Sequence, residues 1–183
     1  MYKGENGIDN LNIILQELFN PRDDRKEEVR IGEVTYRVGD KVLQLVNDPD
    51  NNIYNGDIGY VMSVNTKSKD ELLTVDFYGN AVYYKREDLI NLKHAYAITI
   101  HKSQGSEFDA VVIPVVGGNP MMMTRNLLYT AVTRAKKMVV LVGGLNHIAY
   151  MIHNEYLFKR KTLLKELIKD EYAKLSALGI FGE

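Results

Sequence analysis

The residues best equipped for chemistry lie together between Thr99 and Asp109. Thr99-Ile100-His101-Lys102-Ser103-Gln104-Gly105-Ser106-Glu107-Phe108-Asp109 crowds hydroxyls, an imidazole, an ammonium, an amide and carboxylates around one glycine. The apolar run Ala110 to Val116 follows at once, which is how a loop at a strand end displays polar groups over a buried sheet. On chemistry alone such a segment is read equally well as an ordinary polar connection. The second such stretch is Arg125-Asn126-Leu127-Leu128-Tyr129-Thr130-Ala131-Val132-Thr133-Arg134-Ala135-Lys136-Lys137. On a helix of 3.6 residues per turn, Leu128, Ala131, Val132 and Ala135 share one face, and Arg134 points roughly 120° from its centre. Arg134 is then free to reach across a cleft, or serves only as a helix C-terminal cation complementing the dipole. Lys136 and Lys137 read as cations that complement the helix dipole. A hydrolytic triad of Ser103, His101 and Asp109 is disfavoured, because three neighbours on one loop rarely meet in that geometry and no Gly-x-Ser-x-Gly is present. The histidines show no metal-ligand spacing, and His147 and His153 read as helix surface.

These groups need elements to hold them. A strand near Ala95 to Ile98, a strand from Ala110 to Val115, a helix near Thr124 to Ala135 and a strand from Met138 to Val142 predict a parallel sheet covered on both faces by helices. Met121-Met122-Met123 reads as filler for an irregular apolar gap. Leu145 to Asn154 and Thr162 to Ala177 read as helices, with Lys159-Arg160-Lys161 a solvated face between them. Near the start, Ile8, Leu11, Ile14, Leu15 and Leu18 recur at helical spacing and Asn20-Pro21 ends the pattern, predicting an amphipathic helix over 8–19. Pro21 to Glu28 is a charged link. From Glu33 the pattern turns to short strands: Lys41 to Val46 after Gly39-Asp40, then, past the Asn55-Gly56 turn, Ile58, Tyr60, Met62 and Val64 alternating onto one face. Leu73, Val75 and Phe77 alternate likewise, and Gly79-Asn80 turns the chain into Ala81 to Tyr84. Several strands in so short a stretch predict a small closed or half-closed barrel. Its tyrosines, with Lys85-Arg86, read chiefly as core and rim, and otherwise as a stacking surface for single-stranded bases.

Composition sets limits. A chain of 183 residues, 45% hydrophobic and 26% charged, holds one globular domain or a domain carrying a small insertion. No apolar run approaches the roughly 20 residues of a membrane span, and no signal-peptide pattern opens the sequence. The absence of cysteine excludes disulfides and thiolate metal sites and fits a reducing cytoplasm. At a formal net charge of -1, any nucleic-acid contact must come from a local groove.

The strings Tyr96 to Phe108 and Arg125 to Lys137 closely resemble motifs V and VI of superfamily 1 helicases in their RecD and TraA branch. The resemblance implies an α/β fold: a RecA-like parallel sheet of the P-loop NTPase type flanked by helices, lacking the P-loop half, with an inserted SH3-like β-barrel. Residues 1–32 and 90–183 would be part of the second RecA-like motor domain, and 33–89 the barrel, with Gly39-Asp40-Lys41-Val42 and Tyr54 to Gly59 as its signature. Arg134 would be the arginine finger. Gln104, Gly105 and Glu107 would face nucleotide, Glu107 accepting from the ribose hydroxyl, while Thr99, His101, Lys102, Ser103 and Thr130 would face DNA. The parent protein would then use ATP and Mg2+, held mainly by the other half, for 5′ to 3′ translocation on single-stranded DNA in recombination and repair or in conjugation. Its partners would be the N-terminal motor domain and subunits of a recombination complex. Relatives are called exodeoxyribonuclease V alpha subunit, yet no nuclease carboxylate cluster is visible here. Neither a Gly-x-x-x-x-Gly-Lys-Ser/Thr loop nor an Asp-Glu pair after an apolar strand occurs, so this chain alone is expected to be inactive and to hold no metal. Two alternatives remain open at this point: a standalone nucleic-acid-binding or scaffolding module, and an RNA helicase of the same superfamily.

Overall fold

Three side-chain amides and a buried carboxylate seat the first helix on the rest of the chain. The computed structural model describes residues 6–68, 70–155 and 163–177. Helix α1 (Ile8–Phe19) is where the periodicity placed it, but its buried stripe is Asn12, Gln16 and, just past its end, Asn20. These positions, four residues apart, lie on one side of the helix. Ile14 and Leu18, expected inside, are 53% and 68% exposed. The physical reason is directional bonding. Asn12 both donates to Ala97 O and accepts from Ala97 N, each at 2.9 Å. Gln16 Nε2 donates to Asp40 Oδ2 at 2.6 Å and to Thr35 O at 2.9 Å, and Asn20 Nδ2 donates to Asp40 Oδ1 at 2.7 Å. Asp40 is fully buried and also accepts from the Arg37 amide at 2.7 Å and Tyr96 Oη at 2.9 Å, with His94 Nε2 at 3.2 Å.

Strands β1 (Glu28–Ile31) and β2 (Val34–Arg37) form a hairpin turned at Gly32. Five antiparallel strands follow: β3 (Lys41–Gln44), β4 (Ile58–Val64), β5 (Leu73–Phe77), β6 (Asn80–Tyr84) and β7 (Leu92–His94), ordered β6-β5-β4-β3-β7. Val42, Val61, Val64, Leu73, Val75 and Phe77 fill the space they curl around, joined by Val29 and Tyr36 of the hairpin. Full burial of each such side chain is worth about 1.5–3 kcal/mol. The expected alternation holds in β5 but not in β4, where Tyr60 and Met62 face solvent and Val61 faces the core. A bulge between Val61 and Ser63 shifts the register and brings Val64 back inside. Tyr36 and Tyr84 are buried with their hydroxyls donated to Leu92 O and Gln44 Oε1, and burial pushes both phenols up; Tyr54, Tyr78 and Tyr83 stay exposed.

After β7 the predicted strand over 95–98 is absent. The Ala97 backbone bonds the Asn12 side chain instead of a neighbouring strand, and the chain runs through bends and turns to β8 (Phe108–Val115). Helix α2 (Arg125–Val132), capped by Thr124 Oγ1, ends three residues earlier than expected. The Arg134 carbonyl accepts from Phe108 N at 2.8 Å, so Ala135 already opens β9 (Ala135–Gly143), parallel to β8. Helix α3 (Leu145–His153) packs with α2 on one face of this pair, around Ile113, Val115, Leu128, Ala131 and Met151. Met123 joins that cluster, while Met121 and Met122 are about half exposed rather than filling a gap. On the other face Val112, Met138, Val140 and Val142 are open among the described residues. Helix α4 (Leu164–Ala177) exposes Leu164, Leu167, Ile168 and Tyr172. Lys159-Arg160-Lys161 lies outside the described residues.

Asp40→Ala should cost about 3–5 kcal/mol in urea unfolding, because it strands several buried donors at once. Burial alone would raise the Asp40 carboxyl. It is outweighed by hydrogen bonds from His94, the Arg37 amide and Asn20 and by the His94 charge, so the group titrates below its ordinary value. Its contribution is complete above the unfolded carboxyl value of about 3.9 and is lost as pH falls through the lower folded value. Stability profiles should therefore show wild type losing more than Asp40→Asn as pH drops below about 4.

Candidate functional site

The segment from Thr99 to Ser106 is a run of overlapping turns wound around one buried hydroxyl. Ser103 is 6% exposed and donates Oγ to Ile100 O at 2.7 Å, while its amide donates to Thr99 O at 3.1 Å. Lys102 N donates to Thr99 Oγ1 at 3.1 Å, Gln104 N to His101 O at 3.3 Å and Ser106 N to Ser103 O at 3.1 Å. Gly105 closes the run at φ 86°, in the left-handed region, with open space where a Cβ would stand. Ile100 packs into the core under α2, whereas Ile98 and Phe108 pack against Leu43, Ile58 and Ala95 of the barrel side.

This winding decides which predicted residues reach solvent. His101, Gln104, Gly105 and Glu107 are exposed, and Thr99 and Lys102 are half-buried. The Thr99 oxygen caps the turn as an acceptor, which leaves its O–H free to donate. Ser103 turns inward and acts as a staple of the loop. Thr130, on α2, is half-buried and donates back to Asn126 O at 2.8 Å.

Arg134 lies in the turn between α2 and β9, not on the helix surface. Its guanidinium donates to Thr130 O at 3.2 Å, Ser106 O at 3.3 Å and Thr133 Oγ1 at 3.3 Å. The bond to Ser106 sets the arginine beside Gly105 and Glu107, so stretches some thirty residues apart in sequence meet at the same ends of β8 and β9. All three acceptors are neutral, and none of the ion pairs among the described residues includes Arg134. Lys136 and Lys137 stand on β9 and pair with Glu107 at 3.3 Å and Asp109 at 3.0 Å; their reading as helix-end cations is corrected by the early end of α2. Both pairs are more than half exposed, so each is worth about 0–1 kcal/mol and yields readily to a ligand.

Three contributors escaped sequence reasoning. Asn55 accepts from Lys102 Nζ, Lys41 lies over the Phe108 ring at 5.8 Å, and Lys136 holds Glu107. Only the Asn55-Gly56 turn carried any signal, and it announced a turn rather than a partner. His147 is remote from this rim. It packs against Gly117 beyond the far ends of the strands, with a buried Nδ1 that has no partner. A pocket of about 350 Å³ on the barrel, lined by Asp48, Asp50, Tyr83, Tyr84 and Asp88, shares no residue with the loop and is too acidic for phosphate.

Gly105→Ala should cost about 1–2 kcal/mol from backbone strain alone, since the space is open, and Gly105→Asn less, because Asn tolerates the left-handed region. Urea titration of the three proteins checks the order.

Residues 11–77 match the family described as the SH3 domain of ATP-dependent RecD-like DNA helicases, and residues 94–142 match the UvrD-like helicase C-terminal domain. The ATP-dependent RecD2 DNA helicase of Deinococcus radiodurans is 45% identical over 136 residues, covering 74% of this chain and 18% of that protein. The RecBCD enzyme subunit RecD of Mycolicibacterium smegmatis is 38% identical over 110 residues, covering 60% of this chain and 19% of that protein. The chain thus spans about a fifth of the length of these curated relatives. The crystal structure of Bacteroides Pif1 bound to ssDNA superposes with a TM-score of 0.53 over 91% of this chain and 44% of that one, at 23% identity. Bacteroides Pif1 in complex with ADP-AlF3 and ssDNA gives a TM-score of 0.53 over 96% of this chain and 48% of that one, at 24% identity. At that identity the shared property is the fold, a RecA-like α/β unit joined to an SH3-like barrel. With both matched segments in order along the chain and a relative of 45% identity across most of it, the protein belongs to the RecD-like helicase family.

Proposed function

We propose that this chain is the C-terminal part of an ATP-dependent 5′ to 3′ DNA helicase or translocase of the RecD type, supplying one wall of the ATP site and part of the path of the single strand. In this reading the inserted barrel runs from β1 to β7, residues 28–94, wider at both ends than the 33–89 expected from the sequence because the hairpin and β7 share its core and sheet, and the described residues from 95 on belong to the second RecA-like domain. The observation that carries this reading is Arg134: a half-buried guanidinium at a solvent rim, held by carbonyl and hydroxyl oxygens and balanced by no carboxylate among the ion pairs of the described residues. A charge so placed is stabilised by an incoming anion, and a forked donor fits phosphate.

In this reading Arg134 stabilises the charge that develops on the transferred phosphoryl group when the cleft against the N-terminal motor domain closes. Gly105 lets backbone approach the nucleotide, as its open surroundings permit, and Glu107 exchanges its weak pair with Lys136 for a ribose hydroxyl, with Gln104 beside it. Thr99 and His101 donate to strand phosphates, with Lys102 available from its half-buried position. Ser103 and Thr130 serve the strand through the backbone they shape, since both hydroxyls are already donated internally. Bound ATP with Mg2+ supplies the phosphoryl group and the neutralising cation, held mainly by the other motor domain. One short loop then touches nucleotide on one side and DNA on the other, a physical route from cleft closure to a change of grip. Action in recombination or repair, alone or with other subunits, follows from the same reading.

In the complete protein, Arg134→Ala should lower single-strand-stimulated ATP hydrolysis by about 10³–10⁵-fold. Because its acceptors are all neutral and its bonds long, at 3.2–3.3 Å, stability should change by only about 1–2 kcal/mol. Hydrolysis within roughly tenfold of wild type would overturn the assignment. Salt-sensitive strand binding with no ATP hydrolysis to stimulate would favour a binding module.

A further inference from the structure

The barrel grips the Thr99–Gln104 loop at two places. Lys102 Nζ donates to Asn55 Oδ1 at 2.5 Å, across 47 residues of sequence. Asn55 sits in a turn that is itself fixed: its amide donates to Asn47 Oδ1 at 2.9 Å, Gly56 N to Gln44 O at 2.9 Å, and Tyr54 N to Asp57 Oδ2 at 2.7 Å. Gly56 holds φ 106°, so the turn keeps its shape and presents the Asn55 side chain in one place. The second grip is apolar. Leu43 and Ile58 of the barrel and Ala95 form a buried cluster against which pack Leu45, just after β3, and Ile98 and Phe108, which stand on either side of the loop. Lys41 covers the Phe108 ring, and burial lowers its ammonium. Phe108 in turn donates its amide to the Arg134 carbonyl.

We propose that Asn55 is a positioning residue for this loop, with Lys102 as the latch it holds, so that the barrel sets where Gly105 and Arg134 stand. The apolar cluster fixes both ends of the loop, and the Lys102–Asn55 bond fixes its middle. The geometry explains why the loop needs a barrel beside it: its internal bonds are short-range turns, and the long-range polar tie found at its middle among the described residues is to Asn55. The functional weight of this latch rests on the reading of the loop as a nucleotide and strand site.

The test is amide hydrogen exchange in the 183-residue chain, read at Ser103, Gln104 and Ser106. Asn55→Ala and Lys102→Met should each speed exchange there by about 3- to 10-fold, the effect of losing one hydrogen bond. Val61 and Val75, inside the barrel, should exchange as in wild type, and Asn55→Asp, which can still accept from Lys102, should restore slow loop exchange. Loop rates unchanged in either single variant, or no restoration by Asn55→Asp, would overturn the latch. Lys102→Met leaves the barrel sequence intact, so general unfolding of the Asn55 variant cannot mimic the result. A parallel titration of the complete protein with fluorescent oligothymidylate separates the two layers: absence of binding refutes the strand reading and leaves the exchange result standing.

Discussion

One ionised carboxylate with no access to solvent organises this molecule. Asp40 takes donors from α1, from the end of the hairpin, from β7 and from Tyr96. Removing a charge from water costs several kcal/mol, and only a near-complete set of donors offsets it. That requirement is also what gives Asp40 its specifying power. An apolar contact tolerates sliding and rotation, whereas each of these bonds fixes a direction, so the helix, the hairpin and the segment leading into the Thr99–Ser106 loop have one mutual arrangement that satisfies them all. Arg37 extends the network, bonding Glu17 and Glu28 from its own nearly buried position.

From that hub the chain leads straight to the site. β7 ends two residues before Tyr96, whose hydroxyl reaches Asp40; Ala97 is held by Asn12; and Ile98 enters the cluster shared with the barrel. The loop therefore leaves a rigid platform and lands on another, β8, which is paired with β9 in parallel. Parallel strands align their starts. The two polar stretches meet because each immediately precedes one of these strands. Distance in sequence becomes proximity at one end of a sheet, and the bond from Arg134 to the Ser106 carbonyl records it.

The parts legible in the sequence are those governed by local rules. Helix α1 announced itself through its 3.6-residue period, β5 through its alternation, the barrel through closely spaced turn signals, and the polar loop before β8 through its concentration of hydroxyls and charges. What escaped was settled by partners far along the chain. The periodicity of α1 identified a helix and yet misjudged its buried face, because nothing near Asn12, Gln16 and Asn20 reveals that Asp40 and Ala97 await them. β4 concealed a bulge, which depends on its neighbour's register. The early end of α2 follows from Phe108 claiming a carbonyl twenty-six residues away. Ser103 looked like a surface hydroxyl and is instead an internal staple, a distinction composed entirely of three-dimensional packing.

The side of the β8–β9 pair that is open among the described residues, with Val112, Met138, Val140 and Val142 side by side, has its own physical consequence. Strands paired in parallel ordinarily have both faces sheltered from water. Adhesion through such a surface strengthens in sulfate and weakens on cooling, because it is driven by solvent release. Attraction between guanidinium or ammonium groups and a polyanion runs the opposite way and fades as ions are added. Ionic strength therefore acts in opposite directions on the two kinds of surface this chain carries, strengthening contacts of the apolar face and weakening those of the cations at the rim.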